Sequence, residues 1–111
     1  TKVVSGHGSS DSANFTSTDK LYLLESKEVY GNNGGTAYSA TRQLDYYSAH
    51  GVTTNSNSKA IKQLNGSNKW WWLRTADSNI NYGFCIVDNG GDWDYSDASA
   101  TGGVSLAFRI A

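Results

Sequence analysis

The sequence predicts an α+β fold, a short antiparallel sheet carrying one or two short helices with long loops between them. Three observations carry that prediction. Aromatic and β-branched residues gather in brief runs, most of them in the last third of the chain, which is the pattern of short strands. Helix formers gather over 40–47 (ATRQLDYY), enough for one or two turns. Gly, Ser, Asn and Thr fill much of the remainder, against 38% hydrophobic and 17% charged residues, so turns are many and long helices few. At 111 residues the chain has the usual size of one domain, and its apolar residues cannot supply a second core. Residues 1–111 are therefore read as one domain, and its four Trp and seven Tyr provide rings for a dense interior.

Residues 1–18 read as a surface arm or loop, rich in Ser, Gly and Asn, with a strand signal over 2–5. KLYLLE at 20–25 is short and apolar, suiting a buried strand, and the stretch 28–31 leads into a turn. NNGG at 32–35 is loop by composition. On the helix over 40–47, Leu44 and Tyr47, or Tyr46 and His50, share a face. Polar loop follows at 53–58, then a brief strand or helical turn over 60–64, ended by Asn65-Gly66-Ser67. Four strands close the chain, over 70–75, 82–87, 93–95 and 104–110. Asp88-Asn89-Gly90-Gly91 is a tight hairpin signal, because Asn-Gly supplies the positive φ that such turns need.

Composition also excludes. A net charge of −1, with nine basic residues scattered rather than grouped, makes no field for nucleic acid. No apolar run approaches the roughly 20 residues of a spanning helix, so membrane insertion is not expected. The chain opens at Thr1 without a methionine, as a processed product or a piece of a longer protein does. Cys85 is alone in an apolar run and reads as a small buried hydrophobe rather than a nucleophile. His7 and His50 lack metal-ligand neighbours, and no Gly-x-Ser-x-Gly elbow or phosphate loop occurs. No catalytic machinery and no cofactor is expected.

Three groups remain. Asp88, Asp92, Asp94 and Asp97 could gather around a hard cation such as calcium, although their spacing matches no established loop; the alternative is solvated turn carboxylates. Trp70-Trp71-Trp72 on a strand directs Trp70 and Trp72 to one side and Trp71 to the other, so rings packed on both faces of a buried strand are expected. Arg74 then needs an Asp or a set of carbonyls as partner. Tyr82, Trp93 and Tyr95 stand among Asn79, Asn81, Asp92, Asp94 and Asp97, the mixture of rigid rings and short polar side chains that adaptable binding surfaces use. The competing reading is that these residues simply populate turns.

WWLRT at 71–75, the strand and Asp-Gly-type turn after it, the closing GVSLAF, and KLYLLESKEVYG near the start together resemble a bacterial and phage domain of unknown function carrying a W-W-L-R-[ST] core motif. The resemblance covers about 19–110. It implies a C-type-lectin-like scaffold, the fold shared with formylglycine-generating enzymes. It also implies similarity to the variable proteins of diversity-generating retroelements, whose lectin-like region is diversified at adenine-rich codons. Carried onto this chain, the display positions are Asn79, Asn81, Tyr82, Asp92, Asp94, Tyr95, Asp97 and Ser99, with Trp93 beside them, and Trp70, Trp71, Trp72, Arg74 and Cys85 form the framework. Three features depart from the pattern, the first being that the Glu-Pro-Asn type motif of calcium-dependent sugar-binding lectins is lacking. Ser105-Leu106 replaces the closing Arg-Pro, and Cys85 has no second cysteine, which removes the enzymatic kinship.

The expected function is a non-catalytic ligand-display or receptor-binding module. Its partner would be a protein or glycan on a cell or phage surface, and its place extracellular, on the cell surface or on a virion. A structural or assembly domain, with oligomer formation through the aromatic surface, is the alternative.

Overall fold

The computed structural model describes residues 19–31, 42–77 and 82–108, and the backbone of 2–3 and 15–16. Short antiparallel sheets and two short helices make up these residues, which is an α+β arrangement. The N-terminal pair β1 (Lys2–Val3) and β2 (Phe15–Thr16) is antiparallel. β3 (Tyr22–Leu23) leads into helix α1 (Ser26–Tyr30), and helix α2 (Asp45–Ala49) follows. A 3₁₀ turn (Ser58–Ala60) and the hairpin β4 (Gln63–Leu64) and β5 (Ser67–Asn68) come next. A three-stranded sheet, β6 (Trp71–Ala76), β7 (Gly83–Val87) and β8 (Trp93–Asp97), is ordered β6-β7-β8. The closing strand β9 (Leu106–Ala107) returns to pair with β3.

The sheet has one sealed face. Trp71 and Leu73 of β6 and Cys85 and Val87 of β7 are 2% exposed or less, and they pack on Leu24, Val29 and Tyr30 from the α1 region and on Tyr47, Val52 and Ala60. Alternation along each strand puts every second residue into this core. The Trp71 indole N–H donates to the Ala60 carbonyl at 3.1 Å, satisfying the one polar atom that this burial would strand.

Local structure departs from the sequence reading in specific places. Residues 28–31, expected only to lead into a turn, belong largely to α1, because Glu28 reaches back to accept the Glu25 N–H at 2.9 Å and Ser26, Glu28, Val29 and Tyr30 are all buried. The second helix sits at Asp45–Ala49 rather than 40–47, of which 40–41 lie outside the described residues. Gln43 ties it down by donating to the carbonyls of Val29 at 2.7 Å and Val52 at 2.8 Å. The closing strand is confined to two residues, with 109–111 outside the described set.

The tryptophan strand is sealed on one side only, which corrects the reading of burial on both. Trp71 is buried, whereas Trp70 and Trp72 are half-buried and meet edge to face, 5.0 Å apart. The Trp70 ring lies directly on Gly102, where a Cβ would stand 2.1 Å from it. Next to it, Gly103 accepts the Trp72 N–H at 3.0 Å and donates to Trp70 at 2.9 Å. The Gly-Gly pair thus lets the closing segment lie flat along the start of β6.

β6 also carries an irregularity. Trp72 faces Ile86 and Ala76 faces Phe84, so β6 uses four residues where β7 uses two. The Arg74 N–H, turned out of the ladder, donates to the Leu24 carbonyl at 2.9 Å and fixes the start of α1 against the sheet.

Candidate functional site

The reverse face of the three-stranded sheet, away from the core, follows from the same alternation. Trp72, Phe84 and Ile86 lie on it by their cross-strand pairing, as do Asp94 and Ser96 of β8. Trp72, Phe84, Leu23, Leu73, Arg74 and Ala98 line an apolar concavity of about 280 Å³. Ala98 donates to the Tyr82 carbonyl at 2.8 Å, extending the β7–β8 ladder by one pair and placing Tyr82 on this face as well. Tyr82 is 57% exposed.

The concavity continues outward along β3 and β9. Tyr22 pairs with Ala107 and both pack on the core, so Leu23 and its partner Leu106 turn the other way. Leu106 is 57% exposed, and Phe108 and Val104, in step with it, are 65% and 66% exposed; Leu21, in step with Leu23, is 56% exposed. In the closing strand the small Ala107 faces inward and the large apolar residues outward. That inversion concentrates apolar surface where a solitary domain would be polar.

Under this surface lies an ion cluster. Arg74, 13% exposed at its side chain, contacts Glu28 at 3.0 Å and Glu25 at 3.6 Å, and donates to the Leu23 carbonyl at 2.7 Å. The partner expected from sequence was an Asp or carbonyls; a carbonyl is present, but the carboxylates are the two glutamates of the α1 start. Its guanidinium also stands 5.6 Å over the Tyr22 ring. The cluster holds β3, α1 and β6 together, and Arg74 is its member that borders the concavity.

The residues grouped by sequence as one display surface do not form one. Asn79 and Asn81 lie outside the described residues. Trp93 belongs to the framework. It pairs with Val87 on the core side, packs against the core, and donates its indole N–H to Ser26 Oγ at 3.1 Å. Tyr95 and Asp97 share that side of β8 but project past the core's rim, Tyr95 being 49% exposed. Asp94 lies on the reverse face with Tyr82. Ser99 is exposed in the loop beyond. Strand alternation applied to WDYSD signals this split, since neighbours on a strand cannot face the same way.

The acidic residues have local tasks. Asp88 Oδ1 accepts the N–H groups of Gly90 at 2.8 Å and Asp92 at 2.9 Å, which builds the hairpin turn. Asp92 accepts the side-chain amide of Asn57, and Asp94 Oδ1 accepts the Tyr95 N–H at 2.8 Å. Among the described residues no three His, Cys, Asp or Glu side chains stand close enough to hold a metal. Behind the turn, the Tyr30 hydroxyl donates to the Gly91 carbonyl at 2.6 Å. Burial and the nearby charges of Asp88 and Asp92 raise its pKa far above the ordinary tyrosine value.

Sequence reasoning missed the apolar members of the reverse face: Leu21, Leu23, Phe84, Leu106 and Phe108. A signal was present. Val104, Leu106 and Phe108 alternate with Ser105 and Ala107, a two-residue period announcing one large apolar face. Which way that face points depends on what β9 pairs with, and that is a tertiary fact.

Over residues 2–111 the chain matches the family described as Domain of unknown function (DUF6273), and it belongs to that family. No curated protein and no solved structure matches it.

Proposed function

We propose that this member of the family is a non-catalytic binding module that holds a ligand against the reverse face of its three-stranded sheet. Trp72, Phe84 and Leu23 form the floor, and Tyr82 and Asp94 stand at the rim. The observation that carries the reading is the outward orientation of large apolar side chains around a concavity, on a framework whose other face is packed along β6 and β7. Apolar floor plus a few polar rim groups is the usual composition of a recognition site. Tyr95 and Asp97 project from the opposite side of β8 and are not part of this face. Trp93 is withdrawn from it.

The resemblance to lectin-like variable proteins supports a C-type-lectin-like scaffold, on which short strands hold a rigid base and the segment 77–101 makes contact. It supports in the same way a place outside the cell, on a cell surface or on a virion. If that segment is diversified by a retroelement, the genome carries a near-identical non-coding copy of codons 77–101.

The binding reading is tested by selecting ligands from a random-peptide display library and a glycan array, then measuring them against the Tyr82→Ser and Leu23→Ser variants with unfolding midpoints taken alongside. A tenfold or greater loss of affinity in folded variants is expected. Unchanged affinity for every selected ligand would remove the reverse face from the function.

A second reading is supported by the exposure of Val104, Leu106 and Phe108, which suits a face that meets a neighbouring subunit in an assembly. Sedimentation of the wild type against Leu106→Ser with Phe108→Ser separates the two: a concentration-dependent oligomer lost in the double variant favours assembly, and a monomer in both favours ligand binding.

A further inference from the structure

We propose that the outer edge of β8 is a strand-addition site for an extended, cationic protein segment, which would pair with the backbone of Trp93 and Tyr95 and face the Asp97 side chain. This deepens the binding reading and rests on it.

The backbone pattern comes first. β8 stands at the end of the β6-β7-β8 order, with no strand beyond it among the described residues. Ala98 donates to Tyr82, and the pair closing the hairpin is Asp88 with Asp92, whose N–H and carbonyl are joined at 2.8 Å. Residues 92, 94, 96 and 98 therefore direct their backbone groups into β7, and antiparallel geometry turns those of 93, 95 and 97 outward, where the Asp97 carbonyl is already held by the Ala100 N–H at 2.9 Å and the strand ends. An edge of this kind is a template for another chain.

At its centre the template is covered by a side chain. The outward Tyr95 N–H is taken by the Asp94 carboxylate at 2.8 Å. The carboxylate caps a donor that a β ladder would otherwise use, so a neutral or acidic strand gains little by displacing it. A lysine or arginine on the incoming strand, facing Asp94, draws the carboxylate away and frees the amide.

Charge selects the occupant. Between Arg74 and Arg109 there is no Lys, Arg or His, while Asp77, Asp88, Asp92, Asp94 and Asp97 all lie there. Asp94 and Asp97 are both exposed on β8 itself. A second copy of this strand brings its own carboxylates to the same edge, and like charges across a ladder repel. A cationic strand meets opposite charges instead. Running antiparallel, it presents a cation to Asp97, then any residue to Ser96, an aromatic or β-branched residue to Tyr95, and a second cation to Asp94.

The test uses a capped peptide, TVKTYKVT, with two controls: one with both lysines changed to glutamate, and one N-methylated at its tyrosine, the amide that pairs with Tyr95. Calorimetric titration and amide hydrogen exchange of the intact chain are the readouts. The parent peptide is expected to bind and to slow exchange at the Trp93 and Tyr95 amides at least tenfold, with affinity falling as salt rises. Both controls are expected to lose at least tenfold in affinity, and Asp97→Asn to weaken the parent peptide several-fold and flatten its salt dependence. Equal binding of the N-methylated control, or binding without protection of β8, would mean charge attraction alone and would overturn strand addition. Absence of parent binding overturns it too. The binding module itself then stands or falls on the library-selected ligands and the Tyr82→Ser and Leu23→Ser variants, which report on the reverse face.

Discussion

β6 and β8 flank the same central strand, and their environments have little else in common. β6 is engaged on both sides, by β7 and by the Gly103 and Leu24 backbones, and Trp71 and Leu73 are buried beneath it. β8 has β7 as its one strand neighbour among the described residues, and beyond Trp93 its side chains pass the limit of the core. Both strands are aromatic and both alternate. What separates framework from contact surface is therefore the packing beyond each strand rather than its own composition.

The largest effect is expected where the framework side is held by charge. Arg74→Met removes the cation between Glu25 and Glu28, both buried, and leaves two carboxylates without their counter-charge. Breaking a buried ion pair from one side costs about 3–5 kcal/mol. Urea unfolding is expected to show a loss of that size, with the slope unchanged. A loss under about 1 kcal/mol would mean that water reaches the glutamates, and the contrast between a sealed β6 and an open β8 would fail.

Next comes the turn that leads from β7 into β8. Gly91 has φ +91°, and a Cβ there would stand 2.3 Å from the Asn57 carbonyl oxygen. Gly91→Ala is expected to cost more than about 1 kcal/mol, since it meets both a strained backbone and a collision. Chemical denaturation measures it, and a neutral result would show that the 57–61 segment is free to move off the hairpin.

This turn also shows how far the sequence could be read. Three Asn-Gly pairs occur; Asn33-Gly34 lies outside the described residues, and the other two both mark hairpins, yet only Asn65-Gly66 takes positive φ at both positions, 54° and 83°. Local composition points to that geometry at Asn89-Gly90 and marks Asn65-Gly66-Ser67 only as a stop. At 88–92 the positive φ falls on Gly91, because Asp88 captures the N–H groups of Gly90 and Asp92 and makes a three-residue loop. Propensity located each turn, and side-chain hydrogen bonding decided its type. The same division holds for the site. Short strands and the buried Cys85 were legible from local pattern. The partial burial of Trp93 against the core was not, because it involves Ser26, 67 residues away in the chain. Nor was the exposure of Leu106 and Phe108, which follows from the β3–β9 register.

A smaller effect, about 1–2 kcal/mol, is expected for Tyr30→Phe, which leaves the Gly91 carbonyl without its buried donor. Alkali probes the same interior. Burial, and to a lesser degree Tyr46, pushes the Tyr47 pKa up to about 12 from the ordinary 10.0, and Tyr30 is raised as well. The folded state thus keeps protons that the unfolded chain releases, so the stability tied to these phenols is complete below pH 10 and is lost as pH rises from 10 through 12. Unfolding midpoints taken across that window are expected to fall, and Tyr47→Phe to make the fall shallower. An equally steep fall in the variant would place the phenol in contact with solvent.

The smallest effect on stability is expected on β8. Tyr95→Ser and Asp97→Asn alter side chains that lie beyond the core, and surface changes of this kind stay within about 0.5 kcal/mol. A β-branched or aromatic residue is favoured on a strand only to the degree that it packs against neighbours, and Tyr95, half exposed, has little to pack against. Trp93→Ser, two residues earlier on the same strand and the same side, is expected to cost about 3–5 kcal/mol, because it empties a packed position and leaves Ser26 without its donor. Comparing the two by thermal and urea unfolding measures how sharply framework turns into surface within three residues. Similar losses at 93 and 95 would mean that Tyr95 serves the core, and its place on the contact surface would then be lost.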